Sequence, residues 1–151
     1  MTRDRILRLA TWPAALFIAF TFLWYEQYKL TGNPGSVWLF QTLADWLGIG
    51  AYEKPFRLGV ATMEIIASVL VVIPMTRMLG AGLSFGIISG AIFFHVVSPL
   101  GIDPYEDGGG LFKEAVGVWF CSLFILYVLR DQVFALLRRL GLPAPMATAA
   151  R

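Results

Sequence analysis

Lys29, Glu64, His95 and Glu114 are the side chains whose types and positions point to chemistry, because each lies inside or at the edge of an apolar run. A charge in hydrocarbon costs at least ~2.5–3.5 kcal/mol, so such a group is retained for a pair, a proton or a ligand. Glu64 has the fewest alternatives. It is too deep in its run for a helix cap and too short to reach water, so it needs a cation or a proton. Lys29 and His95 are the candidate partners, with Arg57 as a third. A carboxylate, an ammonium and an imidazole at one height would form a polar pocket, and imidazole exchanges protons near neutral pH. Glu114 and Asp107 are further pocket candidates, and Glu26 and Arg57 secondary ones.

Each group also has a structural role open to it. A carboxylate at position 114 complements a helix N-terminus. Lys29 can reach the headgroups along its aliphatic stem. His95 can be a neutral imidazole bonded to a backbone carbonyl. Asp107 opens the stretch Asp107-Gly108-Gly109-Gly110, which has no strand before it and no Walker lysine spacing, and so reads as a connector ending near a helix start. Cys121, the single cysteine, allows no disulfide within the chain and no CxxC pair. It falls seven residues after Glu114, on the same face and about 10 Å deeper, where a buried thiol is ordinarily inert. One histidine and one cysteine on separate helices make no zinc site, so no metal is expected. No nucleophile elbow or serine triad is present, and no residue is assigned a catalytic role.

The elements that must position these groups are long. Leu9–Tyr25, Gly59–Met75, Leu79–Leu100 and Ala115–Leu129 are each near the length that crosses ~30 Å of hydrocarbon. Over 151 residues the chain is 58% hydrophobic with a mean hydropathy of +0.70, above the roughly 45–50% apolar usage of soluble domains. The expected fold is all-α: a polytopic membrane four-helix bundle with spans at about 7–30, 57–76, 78–98 and 111–130, and a flexible tail over 141–151. A net charge of +2, with basic residues confined to short flanks of apolar helices, argues against nucleic-acid binding. Arg3, Arg5 and Arg8 before the first run resemble a signal peptide, but no small-residue cleavage site follows, so the first helix is read as retained.

Thr31-Gly32-Asn33-Pro34-Gly35 is a breaker cluster. After it, Ser36 is placed to cap a short helix in which Val37, Phe40, Ala44 and Leu47 recur at helical steps. This amphipathic helix in the first outer loop should lie on the membrane or cover the bundle. Gly82, Gly86 and Gly90 form a doubled GxxxG, a ridge on which helices approach closely in lipid. That places the third helix at the centre of the bundle, or marks a dimer face. His95 shares a face with Ser84, Ile88 and Ala91, and the glycines lie on another.

Orientation is read from Lys and Arg. With the N-terminus cytoplasmic, Arg3, Arg5, Arg8, Arg77, Arg130, Arg138, Arg139 and Arg151 lie inside, and Lys29, Lys54, Arg57 and Lys113 outside. Both termini are then cytoplasmic. Trp24, Tyr25 and Tyr28 at the outer end of the first span, and Tyr127 near the inner end of the fourth, are expected interfacial anchors.

Several motifs, in order, resemble the DoxX-like membrane proteins. They are Lys29-Leu30-Thr31-Gly32, Ser36-Val37 with Leu39-Phe40, Glu64-Ile65-Ile66-Ala67 with Ile73-Pro74, and Gly80-Ala81. Gly90-Ala91-Ile92 with His95, Leu100-Gly101-Ile102, and Asp107-Gly108-Gly109 with Leu111-Phe112 and Ala115 continue the pattern. The resemblance runs from about Leu9 to Arg130. It implies a four-helix bundle of a bacterial inner membrane, associated with redox roles such as quinone-linked oxidation and stress resistance, and complexes with thiol and superoxide enzymes. A quinone is the cofactor it brings into view. The chain departs from the family pattern in a longer first loop, Ala44 to Lys54, and in lacking the paired cysteines of related thiol-redox bundles. Three readings follow: a pocket for a quinone-like or other polar-headed ligand; a non-catalytic subunit or assembly factor that binds a partner protein or a second copy of itself; and a proton-coupled transporter, against which the absence of broken helices or an inverted repeat argues.

Overall fold

The computed structural model describes residues 3–139. Six α-helices follow one another: α1 (Arg3–Thr31), α2 (Pro34–Trp46), α3 (Glu53–Val72), α4 (Arg77–Val97), α5 (Gly110–Val128) and α6 (Arg130–Arg139), with a 3₁₀ turn at Gly50–Tyr52 before α3. Four of them carry stretches long and apolar enough to cross a bilayer: Arg5–Thr31, Gly50–Val72, Arg77–Val97 and Gly110–Val128. The fold is the expected all-α bundle. The second span starts earlier than expected, because Glu53 opens α3. The fourth ends at Val128, and a separate helix, α6, follows. The tail over 141–151 lies outside the described residues.

The order of packing is α1 on α3, α3 on α4, α4 on α5 and α5 back on α1, with α1 and α4 facing each other across the diagonal. The short turn over residues 73–76 makes α3 and α4 antiparallel neighbours, while α2 and the 98–109 loop make the other two crossings. The core is narrow. Ala15, Ile18, Phe22, Ala67, Val71, Ala81, Ile88, Val118 and Ile125 fill it. Phe20, Leu16, Ile66, Val69, Phe93 and Phe120 point outward. A bundle with large apolar side chains on its outside as well as its inside has hydrocarbon, not water, as its surroundings. The protein is a multi-pass membrane protein.

Two arginines fasten the helix ends. α1 stops where Gly32 takes a left-handed φ of 69° and Asn33 N–H bonds back to the Tyr28 carbonyl at 3.0 Å, a Schellman-type ending. Arg57, from the first turns of α3, donates to the Lys29 carbonyl, which also accepts from Gly32 N–H at 3.4 Å, and through Nε to Glu53 Oε1 at 2.5 Å. At the other end of α3, Arg77 donates to the Val71 carbonyl at 3.1 Å and the Val72 carbonyl at 3.2 Å. Its Nη1 reaches Thr11 Oγ1 of α1 at 3.0 Å. Basic groups at helix C-termini meet both the unpaired carbonyls and the negative end of the dipole.

α2 is capped by Asn33, whose side chain accepts from Gly35 N–H, with Pro34 in the first turn. Ser36, expected as the cap, is instead buried on the first turn. The buried face is Ser36, Leu39, Phe40, Leu43 and Ala44, one step round from the expected stripe, and Leu47 is exposed. α2 covers the bundle: Phe40 meets Phe56 of α3 edge-on at 5.4 Å, and Leu39, Phe40, Leu43 and Leu100 form a second small core.

The expected role of the glycine ridge as an internal packing surface is corrected. A Cβ on Gly82, Gly86 or Gly90 would meet nothing within 4 Å. The close approach is made by Gly80, where a Cβ would fall 2.2 Å from Val71 N. A tight turn between α3 and α4 demands that contact; the ridge further along α4 faces open space and the cavity.

Candidate functional site: a polar cluster on an apolar cavity

Lys29 and Glu64 form an ion pair between α1 and α3. Lys29 Nζ also donates to Glu26 Oε1 at 3.0 Å, one turn back on α1. Glu26 is 3% exposed and Glu64 7%, so both carboxylates are out of solvent and one ammonium serves two of them. The free oxygen of Glu26, Oε2, is buried without a hydrogen-bond partner. An acceptor without a donor in such a place favours a proton or a ligand donor beside it. With both carboxylates ionised the trio carries one net negative charge, and one added proton neutralises it.

This trio stands beside a cavity of about 690 Å³, within the roughly 300–1,000 Å³ of small-molecule sites. Its walls are mainly apolar, from Phe22, Leu39, Phe40, Phe56, Val60 and Phe94. Polar groups enter from every helix but the last: Lys29, Tyr25 and Tyr28 from α1, Ser36 from α2, Glu64 from α3, His95 from α4 and Glu114 from α5.

His95 is 4% exposed. Its Nδ1 lies 2.6 Å from the Gly101 carbonyl oxygen. A carbonyl only accepts, so Nδ1 carries the hydrogen, and Nε2 has no hydrogen-bond partner among the described residues. Phe112 packs edge-on against the ring at 5.6 Å. His95 therefore makes the carbonyl bond foreseen as its structural role and lines the cavity as well.

The structure thus brings Lys29, Glu64, His95 and Glu114 to one cavity. It places Glu26 behind them, as a second acceptor for Lys29. It does not bring Arg57 to Glu64; Arg57 is taken by Glu53 and the end of α1. Asp107 is corrected too. It is exposed and is not among the cavity-lining residues, and its Oδ1 accepts from Gly110 N–H at 2.8 Å at the start of α5. It is a helix-entry residue. Beside it, Asp103 accepts from Asp107 N–H at 3.0 Å and Gly108 N–H at 3.1 Å. The backbone N–H groups of Gly109, Asp107 and Gly108 hold the Asp103 carboxyl below the usual carboxylate range.

Sequence reasoning missed Tyr25, which lines the cavity next to Glu114. It also missed the roof made by α2. The aromatic ring of Tyr25 at the end of the span points to a membrane anchor; its position three residues after Phe22 on the inner face of α1 is the signal for the cavity. It also placed Gly86 and Gly90 away from the His95 face, whereas both border the cavity. Among the described residues no three His, Cys, Asp or Glu side chains gather as a metal-ligand set. The cavity offers hydrogen-bonding groups in a mainly apolar lining. No protein-family model, curated protein or solved structure matches the chain.

Proposed function

We propose that this is a DoxX-like, redox-associated protein of a bacterial inner membrane, with both termini cytoplasmic, whose cavity binds a small apolar molecule with a polar head, quinone-like in type. The observation that supports this reading is the cavity itself: an apolar chamber lined by an ion pair and an unengaged imidazole nitrogen, with an orphaned carboxylate oxygen behind the pair. In the reading, Lys29 donates to a head-group oxygen while Glu64 holds its charge in place. Nε2 of His95 accepts a hydrogen bond or a proton from the same head. A head that offers both an acceptor and an exchangeable proton satisfies these groups together; a plain hydrocarbon leaves them as they are.

The test is binding of ubiquinone and menaquinone analogues to the purified protein. We expect Glu64→Gln to weaken binding by roughly tenfold or more, the loss of about one charge-assisted contact. Equal affinity in the wild type and a correctly folded Glu64→Gln protein would sink the proposal.

A second reading is favoured by the unfilled glycine ridge of α4: a non-catalytic subunit or assembly factor whose ridge meets a helix of another chain. Lys29 and Glu64 would then be a structural pair. Strong coupling between Lys29→Met and Glu64→Gln in unfolding, together with no analogue binding by the wild type, would favour this reading over the first.

A further inference from the structure

At the end of the bundle opposite the cavity there is a second crevice, of about 420 Å³, lined by Arg5, Arg8, Leu9, Thr11, Trp12, Pro74, Arg77, Leu129 and Gln132. Three of these residues are arginines and none is acidic. Arg77 is the unusual one. It is 4% exposed, and among the described residues no carboxylate lies within ion-pair distance of it. Its three hydrogen bonds go to two carbonyls and a hydroxyl, all neutral, which leaves two of the five guanidinium N–H donors unused. Trp12 stacks against it, with Cζ 3.9 Å from the ring centroid.

Helix ends do not supply the missing charge. The C-terminus of α3 offers roughly half a negative charge, but Arg77 is also the first residue of α4, whose N-terminus offers roughly half a positive one. Arg5 and Arg8 add two more positive charges on the exposed side of α1. A crevice lined by three arginines and no acidic residue, at the rim of a membrane protein, is matched by an anion that can sit at that depth. The apolar side chains beside the arginines, Leu9, Trp12, Pro74 and Leu129, suit a molecule that carries glycerol and acyl groups next to its charge.

We propose that this crevice binds the phosphate group of an anionic phospholipid, with Arg5, Arg8 and the two spare donors of Arg77 around the phosphate oxygens. Guanidinium groups match phosphate by geometry as well as charge, and basic crevices between membrane helices are where anionic headgroups bind. The site is independent of the cavity and of whatever the cavity binds.

The experiment uses the full chain in uncharged detergent, titrated with short-chain phosphatidylglycerol, short-chain phosphatidylcholine or inorganic phosphate, with bound molecules counted by native mass spectrometry. Arg5 and Arg8 are exposed, so Arg5→Gln/Arg8→Gln removes charge without opening the core. Lys54→Gln/Lys113→Gln removes equal charge from the opposite end. We expect phosphatidylglycerol to bind at least about tenfold tighter than phosphatidylcholine. The arginine pair variant should lose roughly thirtyfold, equivalent to about 1 kcal/mol per arginine, and the lysine pair variant should match the wild type. Equal affinity for the two lipids, or an arginine variant that binds like the wild type, overturns the proposal. Inorganic phosphate binding as tightly as phosphatidylglycerol overturns the lipid assignment and makes the crevice a free-phosphate site.

Discussion

Lys29 shows how one side chain can serve two scales at once. Its ammonium holds two buried carboxylates, and its carbonyl is the point at which Arg57 ties α3 to α1. Removing one partner of such a buried pair costs about 3–5 kcal/mol in soluble proteins, because a charge is left unpaired. Asp103 is the contrasting case, an exposed carboxylate in a polar loop. Its hydrogen bonds to backbone N–H groups favour the ionised form and depress its pKa from 3.8. The folded-state value lies below the unfolded one. The stabilisation of the loop is therefore complete above the unfolded value and is lost as pH falls through the depressed one. The expected outcome is that protection of the Asp107 and Gly108 amides, corrected for intrinsic exchange, holds from neutral pH down to about pH 4 and falls below it. Asp103→Asn should show the low protection at every pH. Wild-type protection that is unchanged well below pH 3 would contradict the assignment.

Helix α4 divides its glycines between two tasks. Gly80 sits where α4 leaves the turn, against the backbone of Val71, and a methyl group there has no room. Gly82 has open space where a methyl would go. Gly80→Ala is therefore expected to destabilise the bundle by about 1–3 kcal/mol, the usual cost of overpacking. Gly82→Ala should be neutral or stabilise by up to about 1 kcal/mol, through helix propensity alone. Unfolding in detergent, followed by circular dichroism, separates the two. Equal losses would mean that Gly82 is in contact with something beyond this chain, which is what the partner-binding reading requires. The same division explains why the doubled GxxxG misled: spacing says that a groove exists along the helix, and only the neighbours decide which part of it is filled.

Across the whole molecule the two ends differ in kind. One holds the cavity, its ion pair and the acidic loops; the other holds the arginine crevice. The proposed orientation puts the arginine end in the cytoplasm, as expected for basic flanks of short loops. With Cys121 replaced by alanine, single cysteines at Lys54 and Lys113 should react with a membrane-impermeant maleimide from the outside of intact cells. A cysteine at Arg8 should react only after the membrane is opened. Reaction of Arg8→Cys in intact cells would invert the topology, and with it the leaflet assigned to both sites.

The bilayer as solvent and the number of spans were legible in the residues themselves, because length and hydropathy act along one helix at a time. That Glu64 must have a partner was also legible, since the cost of a charge in hydrocarbon does not depend on the fold. Which cation answers it was not. Lys29, His95 and Arg57 were all near the right height, and the choice rests on how far α3 extends beyond the end of α1, a consequence of its start at Glu53. The same overlap commits Arg57 to Glu53 and the Lys29 carbonyl. The roof of α2 and the burial of the Arg77 guanidinium depend on contacts between residues tens of positions apart, and side chains that far apart in the chain meet only when the helices pack.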